Sequence, residues 1–486
     1  MATISSPGLG SGLDVDSIVT QLVAIERRPI EALAAQKTTL QEKLSSFGLL
    51  QSYTVNIQDA AGVLAKASLW QQTTAVSNDK TSVAATSSTT AVPGNYSVEV
   101  TQLAQAQALA SRQYATSTDP VGTGTLRIEL GGWTAGGLPF IPQTPPTQVD
   151  IPISVGEDSL ESVRAKINAS NAGVSASIIR DSGGAKLVIR SNATGLQQSM
   201  RISAVPADAP STPGGATLND LVFDNPAGSA TMTQSLPPRD AAAIVNGLPV
   251  TSSSNTLANV IEGVTLTLSQ TTATGKPVQV AVGVDGESMK KALTDFAKAY
   301  SEISKYITDQ TKYDPDKKVA SPLQGDRATL TLQSQLRSMI GATGSASKAF
   351  TRMSDVGLEL QADGSLKLNE GKFTTSLAKL PELSKAFTTV AIGNPNAAGF
   401  AVRIKSLAEQ MTQSQGPVTT RTQGLRDSII RNDKQTAKLE ERVSQVQARL
   451  LRQYSALDTN LTKLNGLNSY MTQQITAWNR ASSPRR

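Results

Sequence analysis

Apolar residues recur every three or four positions near both ends of this chain and every second position between them. Towards the C-terminus Ile429, Thr436, Val443, Leu450, Leu457, Leu464, Met471 and Trp478 stand seven apart, and seven of these eight are apolar. The partner series is Leu425, Asn432, Leu439, Val446, Gln453, Asn460, Leu467 and Gln474, with four apolar members. Two such series predict one helix over 425–478, about 80 Å long at about 1.5 Å per residue. Its polar seam positions, Asn432, Gln453, Asn460 and Gln474, weaken a free-standing coiled coil and specify register or partner.

Near the N-terminus Asp14 and Asp16 suit a helix start, and Ile18, Leu22 and Ile25 share one face. Pro29 lacks an amide hydrogen and predicts a break there, with a second helix beginning at it. Leu33, Leu40, Leu44 and Phe47 continue at heptad-like spacing, and the stripe drifts to Leu50, Ile57 and Leu64. The Gly8–Gly12 run precedes no Lys-Ser/Thr and follows no strand, so it reads as a flexible lead rather than a phosphate loop.

From Trp70 the composition turns to Ser, Thr and Val. Strand alternation occurs at Tyr96/Val98/Val100, Leu126/Ile128/Leu130 and Ile151/Ile153/Val155, then at Ile244–Val250, Val264/Leu266/Leu268 and Val278–Val284. Leu160, Val163 and Ile167 predict one short helix. Asp181-Ser182-Gly183-Gly184 predicts a hairpin between 174–180 and 186–191. Residues 131–152 hold five Pro and four Gly and read as a long loop, and 204–238 as linker. After Gly286, Leu293, Phe296, Tyr300, Ile303 and Ile307 restore a helical period. Leu330, Leu336 and Ile340 extend it, and Asp363-Gly364 predicts a second hairpin near 358–368.

The fold class expected is therefore α+β and multidomain, with paired long terminal helices and β-rich domains inserted between them. The boundaries expected are a helical segment 1–75, a discontinuous β domain 76–115 and 236–285, and a second β domain 116–235. A helical domain 286–424 and a long helix 425–486 follow.

Composition removes most chemistry. The chain has no His and no Cys, which excludes Ser-His-Asp triads, thiol nucleophiles, His bases, disulfides and the usual zinc or haem ligands. The carboxylate pairs Glu157/Asp158, Asp314/Asp316 and Glu440/Glu441 sit in polar turns or on a helix face and read as solvated charge, not as a glycosidase pair. Net charge is +6. Residues 421–486 hold twelve basic and five acidic residues, while 76–285 hold eleven and fifteen. The basic residues are dispersed and carry no aromatic platform, which reads as a solvated face and excludes a nucleic-acid partner. No run of about eighteen apolar residues exists, so no membrane insertion is expected, and the N-terminus lacks the basic and apolar regions of a Sec signal.

Four stretches carry a resemblance. They are Gly8-Leu9-Gly10-Ser11-Gly12-Leu13-Asp14-Val15 with Ile18-Val19, Leu22, Glu26 and Pro29; Pro93-Gly94-Asn95-Tyr96 through Ala104; Ala243-Ile244-Val245-Asn246-Gly247 with Ser254-Asn255-Thr256 and Val260–Leu266; and Tyr454, Leu457, Asp458 with the Leu464–Gln474 run. Together, in this order, they resemble the flagellar hook-associated protein 2 family, which caps bacterial flagellar filaments. The stretches 131–152 and 204–238 match it least.

The resemblance implies a homo-oligomeric cap ring at the distal filament tip, outside the cell, promoting the folding and insertion of arriving flagellin. Helical legs contact the filament end and β domains form the cap plate. It also implies export by the flagellar type III apparatus, a cytoplasmic export chaperone at the C-terminal region, and neither cofactor nor catalysis. The seam and assembly residues expected are Leu33, Leu40, Leu44, Phe47, Leu425, Ile429, Leu439, Val443, Val446, Leu450, Leu457, Leu464, Leu467 and Met471. Flagellin itself or a hook–filament junction protein shares the helical ends, but the Pro93–Ala104 and Asn246-Gly247 stretches argue against both. An adhesin on a helical stalk is expected to carry a Sec signal or anchor.

Overall fold

A computed structural model of the chain describes residues 14–134, 137–206, 215–224, 230–316 and 318–481. The Gly8–Gly12 lead lies outside the described residues. The chain forms two compact units, one from the residues up to Trp70 together with those from Gly286 onward, the other Gln71–Asp285. Its helices are α1 (Val15–Leu64), α2 (Ala67–Trp70), α3 (Leu160–Ala169, in the second unit), α4 (Gly286–Thr311), α5 (Arg327–Gly341), α6 (Glu370–Ser376), α7 (Leu380–Thr388), α8 (Phe400–Thr412) and α9 (Pro417–Ala481).

In the helical unit α1 starts where the Asp14 carboxylate accepts the Ser17 amide at 3.0 Å. It then runs unbroken through Pro29, contrary to the break expected there. An internal proline costs about 3 kcal/mol and leaves the Ile25 carbonyl without its helical donor. Ile25 and Pro29 are exposed, so that carbonyl faces water, while packing of buried Val23 and half-buried Ile30 against α9 holds both flanks in line. The main core gathers Phe47, Leu50, Ile57 and Leu64 of α1 against Met289, Leu293, Phe296, Ile303 and Ile307 of α4, with α5, α7 and α8 closing it. Trp70, 1% exposed, stacks on Phe387 at 4.9 Å and donates its indole N–H to the Leu64 carbonyl at 2.9 Å. The Glu382 carboxylate on α7 accepts from Lys385 Nζ, the Lys348 amide and the Ser347 hydroxyl, each at 2.9 Å. The hairpin expected near 358–368 is present, pairing Leu358–Leu360 with Leu366–Leu368. The final helix begins at Pro417, eight residues before the heptad series signals it, and at 65 residues is about 100 Å long.

The second unit holds fifteen strands among the described residues: β1 (Thr73–Ser77), β2 (Val83–Ser87), β3 (Gly94–Gln102), β4 (Ala108–Ala110), β5 (Gly124–Trp133), β6 (Phe140–Ile153), β7 (Val174–Asp181), β8 (Gly184–Ser191), β9 (Ser199–Val205), β10 (Thr233–Leu236), β11 (Ala241–Val245), β12 (Leu248–Ser252), β13 (Thr256–Ile261), β14 (Val264–Leu268) and β15 (Val278–Val284). Sheets ordered β1-β15-β3-β11-β12 and β13-β14-β2 enclose one core around Val98, Val100, Leu266 and Val280. Sheets ordered β10-β4-β8-β7 and β6-β5-β9, with α3, enclose a second around Leu126, Ile128, Val163, Ile167 and Ile189.

Three expectations are corrected here. Most of 131–152 is strand, not loop: β5 runs to Trp133 and β6 pairs with it from Phe140 to Ile153, with a register shift at Leu130/Gly131, while 135–136 lie outside the described residues. β6 is an edge strand, the place where prolines without N–H donors are tolerated. Gly131 is required, because a Cβ there would stand 2.2 Å from the Ile141 carbonyl oxygen. Ile244–Val250 is not one strand but the hairpin β11–β12, turning at Asn246 and Gly247 with φ of 48° and 82°. The Asn246 side chain also accepts the Ser97 amide at 2.9 Å. Within 204–238, β10 and a 3-10 turn that buries Leu218 and Leu221 replace part of the expected linker, while 207–214 and 225–229 lie outside the described residues.

Candidate assembly surface

The terminal helices α1 and α9 lie antiparallel, and their seam has three stretches. Nearest the main core, Leu40, Leu44 and Phe47 meet the region of Leu425. Further out, Val15, Val19 and Val23 are buried with Val443, and Ile30, Leu450, Leu451 and Tyr454 pack around them. Between these lies Asn432, only 3% exposed, whose amide donates to the Leu33 carbonyl at 3.1 Å and to Gln36 Oε1 at 3.4 Å. Its own Oδ1 has no partner. Beside it Lys37 Nζ and Asp433 Oδ1 pair at 2.7 Å. An open groove of about 490 Å³ runs along the same level, between Pro29, Ala32, Leu33 and Gln36 on α1 and Gln435, Lys438 and Leu439 on α9.

The expected seam residues divide accordingly. Phe47, Leu425 and Val443 are buried; Leu33, Leu40, Leu44, Ile429, Leu439, Val446 and Leu450 are half-buried along the pair. Leu457, Leu464, Leu467 and Met471 are exposed, in an outer stretch of α9 that no described residue of α1 covers. Of the polar positions only Asn432 lies in the seam; Gln453, Asn460 and Gln474 face solvent. The Ile18/Leu22/Ile25 face lies beside the seam rather than in it. The seam uses Val15, Val19 and Val23, leaving Leu22 36% and Ile25 56% exposed. The valine spacing of four was visible in the sequence, but two apolar stripes lie side by side there and only the position of α9 chooses between them.

No group of three or more acidic residues placed to hold a metal ion occurs among the described residues, and no described helix is long and apolar enough to cross a membrane. Of the carboxylate pairs, Glu157 is engaged by Lys166 at 2.7 Å, and Glu440 and Glu441 are exposed on α9.

Residues 11–107 match the profile of the flagellar hook-associated protein 2 N-terminus, 239–466 that of its C-terminus, and 140–193 that of the flagellin hook IN motif. The chain is 30% identical to flagellar hook-associated protein 2 of Escherichia coli K12 over 487 residues, covering 98% of each. The chain belongs to the flagellar hook-associated protein 2 family. The A-type flagellar hook-associated protein 2 of Pseudomonas aeruginosa is likewise 30% identical, over 97% of both chains. The crystal structure of the Escherichia coli flagellar cap protein D1-D2-D3 domains superposes with a TM-score of 0.61 at 29% identity, covering 78% of this chain and 99% of that one. Long terminal helices around β-rich middle domains are thus the shared architecture, and the family is structural.

Proposed function

We propose that the chain is a structural cap at the distal tip of the bacterial flagellar filament, outside the cell, where it promotes the folding and insertion of exported flagellin. The observation that carries this reading is likeness to hook-associated protein 2 over nearly the whole chain, helices and β domains in the same order. Copies of the cap associate with one another and with the filament end.

Two finer partners belong to the same reading: the flagellar type III export apparatus and a cytoplasmic chaperone that holds the C-terminal region before export. The uncovered outer stretch of α9 supports the chaperone. Leu457, Leu464, Met471 and Trp478 repeat at seven, all exposed, and an apolar stripe of this kind aggregates unless something shields it. The seam residues from Leu33 to Phe47 and from Leu425 to Leu450 hold the leg together, and buried Asn432 keeps it able to open and exchange. Removing the gene from its own strain is expected to shorten or abolish filaments and release flagellin monomer into the medium. Immunogold electron microscopy of the complemented strain is expected to label filament ends. Full-length filaments without the protein, or label along their sides, would overturn the reading.

A further inference from the structure

Ile18, Leu22, Ile25, Pro29 and Ala32 of α1 follow one another at steps of four, three, four and three, so they line one helix face. That face is not the seam. Ile18 is half-buried at its start, and from Leu22 to Ala32 it is exposed among the described residues; at Pro29 and Ala32 it becomes the wall of the open groove whose far wall includes Lys438 and Leu439 of α9. The groove fixes which flank of α9 lies on this side. On that flank Arg431, Lys438 and Arg452 stand seven and fourteen residues apart, and Arg442 and Arg449 stand seven apart. All five are exposed, and none has a carboxylate within ion-pair distance among the described residues. Of the three acids of the same stretch, Asp433 and Glu440 fall on the opposite flank, where Asp433 takes Lys37, and Glu441 stands on the outer face between the flanks, where it accepts from the Gln445 amide at 3.4 Å. An apolar stripe therefore runs beside a row of basic residues for about 20 Å.

We propose that this surface docks an amphipathic helix of a partner protein whose carboxylates flank its apolar stripe. The apolar positions along α1 have the period at which a third helix packs, and its side chains enter the groove beside Leu439. The carboxylates then face the guanidinium and ammonium row. A second copy of this chain lacks the matching charge: its own uncovered stretch, 457–478, carries Asp458 as its only acid beside Lys463. The row interleaves no aromatic side chain on which bases would stack. The site follows from α1 and α9 alone and stands whether or not the cap reading does.

The test uses the purified full chain and two labelled helical peptides, one with Leu on its apolar face and Glu on both flanks, the other with Lys for every Glu. Fluorescence anisotropy is expected to show the Glu peptide binding at least about tenfold tighter than the Lys peptide, with the difference shrinking as salt rises. The double variant Lys438→Glu/Arg442→Glu is expected to reverse the preference, and Ile25→Ser to weaken binding of the Glu peptide, with circular dichroism unchanged in both because the three sites are exposed. Equal binding of the two peptides, or a preference the double variant leaves intact, overturns the proposal. So does displacement of the Glu peptide by duplex DNA at equal concentration, or self-association of the chain that Ile25→Ser abolishes, since these assign the surface to a nucleic acid or to a second copy.

Discussion

Replacing Asn432 with leucine should tighten the leg, and the size of the effect follows from what surrounds the side chain. Asn432 is 3% exposed, donates to the Leu33 carbonyl at 3.1 Å, and leaves its Oδ1 without a partner. Loss of that hydrogen bond costs about 1 kcal/mol, because Leu33 keeps its acceptor role within α1. Removing the buried unpaired oxygen returns about 1.5 kcal/mol, and burying leucine adds about 2.5 kcal/mol. The larger side chain gives back about 1 kcal/mol in crowding. The net stabilisation is about 2 kcal/mol. It acts locally, since Val15, Val19 and Val23 pack in a cluster with α9 that is separate from the main core. Hydrogen exchange read by mass spectrometry over residues 15–37 should therefore slow about thirtyfold, with little change in α4. Unchanged or faster exchange there would refute the accounting. If the leg must open during assembly, the same variant should also grow shorter filaments.

Trp70→Ala removes the ring that stacks on Phe387 and the donor to Leu64, and should cost about 4 kcal/mol, read as a lower urea midpoint for the helical unit. Gly247→Ala, at φ 82° with open space around it, should cost about 1 kcal/mol, whereas Gly184→Ala should cost more than about 3 kcal/mol, because its Cβ would meet the Tyr114 carbonyl oxygen; paired denaturation curves decide. Lys385, the Lys348 amide and the Ser347 hydroxyl hold the Glu382 carboxyl down from 4.5 to about 2. A depressed folded-state value means its contribution is present above about 4.5 and is lost as pH falls towards about 2. Thermal melts of Glu382→Gln should therefore show a flatter decline than the parent between about pH 5 and pH 3; parallel declines would remove Glu382 as a cause.

Elements whose own residues settle their burial were legible in the sequence. α4 is one, because Leu293, Phe296, Tyr300, Ile303 and Ile307 form a single stripe with no competitor. The 174–191 hairpin is another, since the turn at Ser182-Gly183 fixes the pairing locally. β1 and β2 escaped because they are five residues long, rich in Thr, Ser and Ala, and completed by distant partners: Thr73 pairs with Val284 and Ser87 with Val264. β6 was hidden by prolines that only an edge position tolerates. At the assembly surface, period alone gave the stripe on α9 but not where its cover ends, so Gln453 and Asn460 read as seam while facing solvent. Periodicity likewise gave the Ile18/Leu22/Ile25 face but not what it meets: two adjacent stripes run along the start of α1, and a neighbour about 400 residues away in the chain selects the valine stripe.

The outgoing and returning strands of the β portion, β1 and β15, are hydrogen-bonded to each other, and the Asp285 amide donates to the Gln72 carbonyl at 2.9 Å. The polypeptide thus leaves the helices and comes home through a doorway one strand pair wide. Whatever is built beyond that doorway adds almost nothing to the entropy of closing it, since its two posts already touch. The β portion is free to grow, shrink or be traded for another of different outline, while the helices stay under their own constraints.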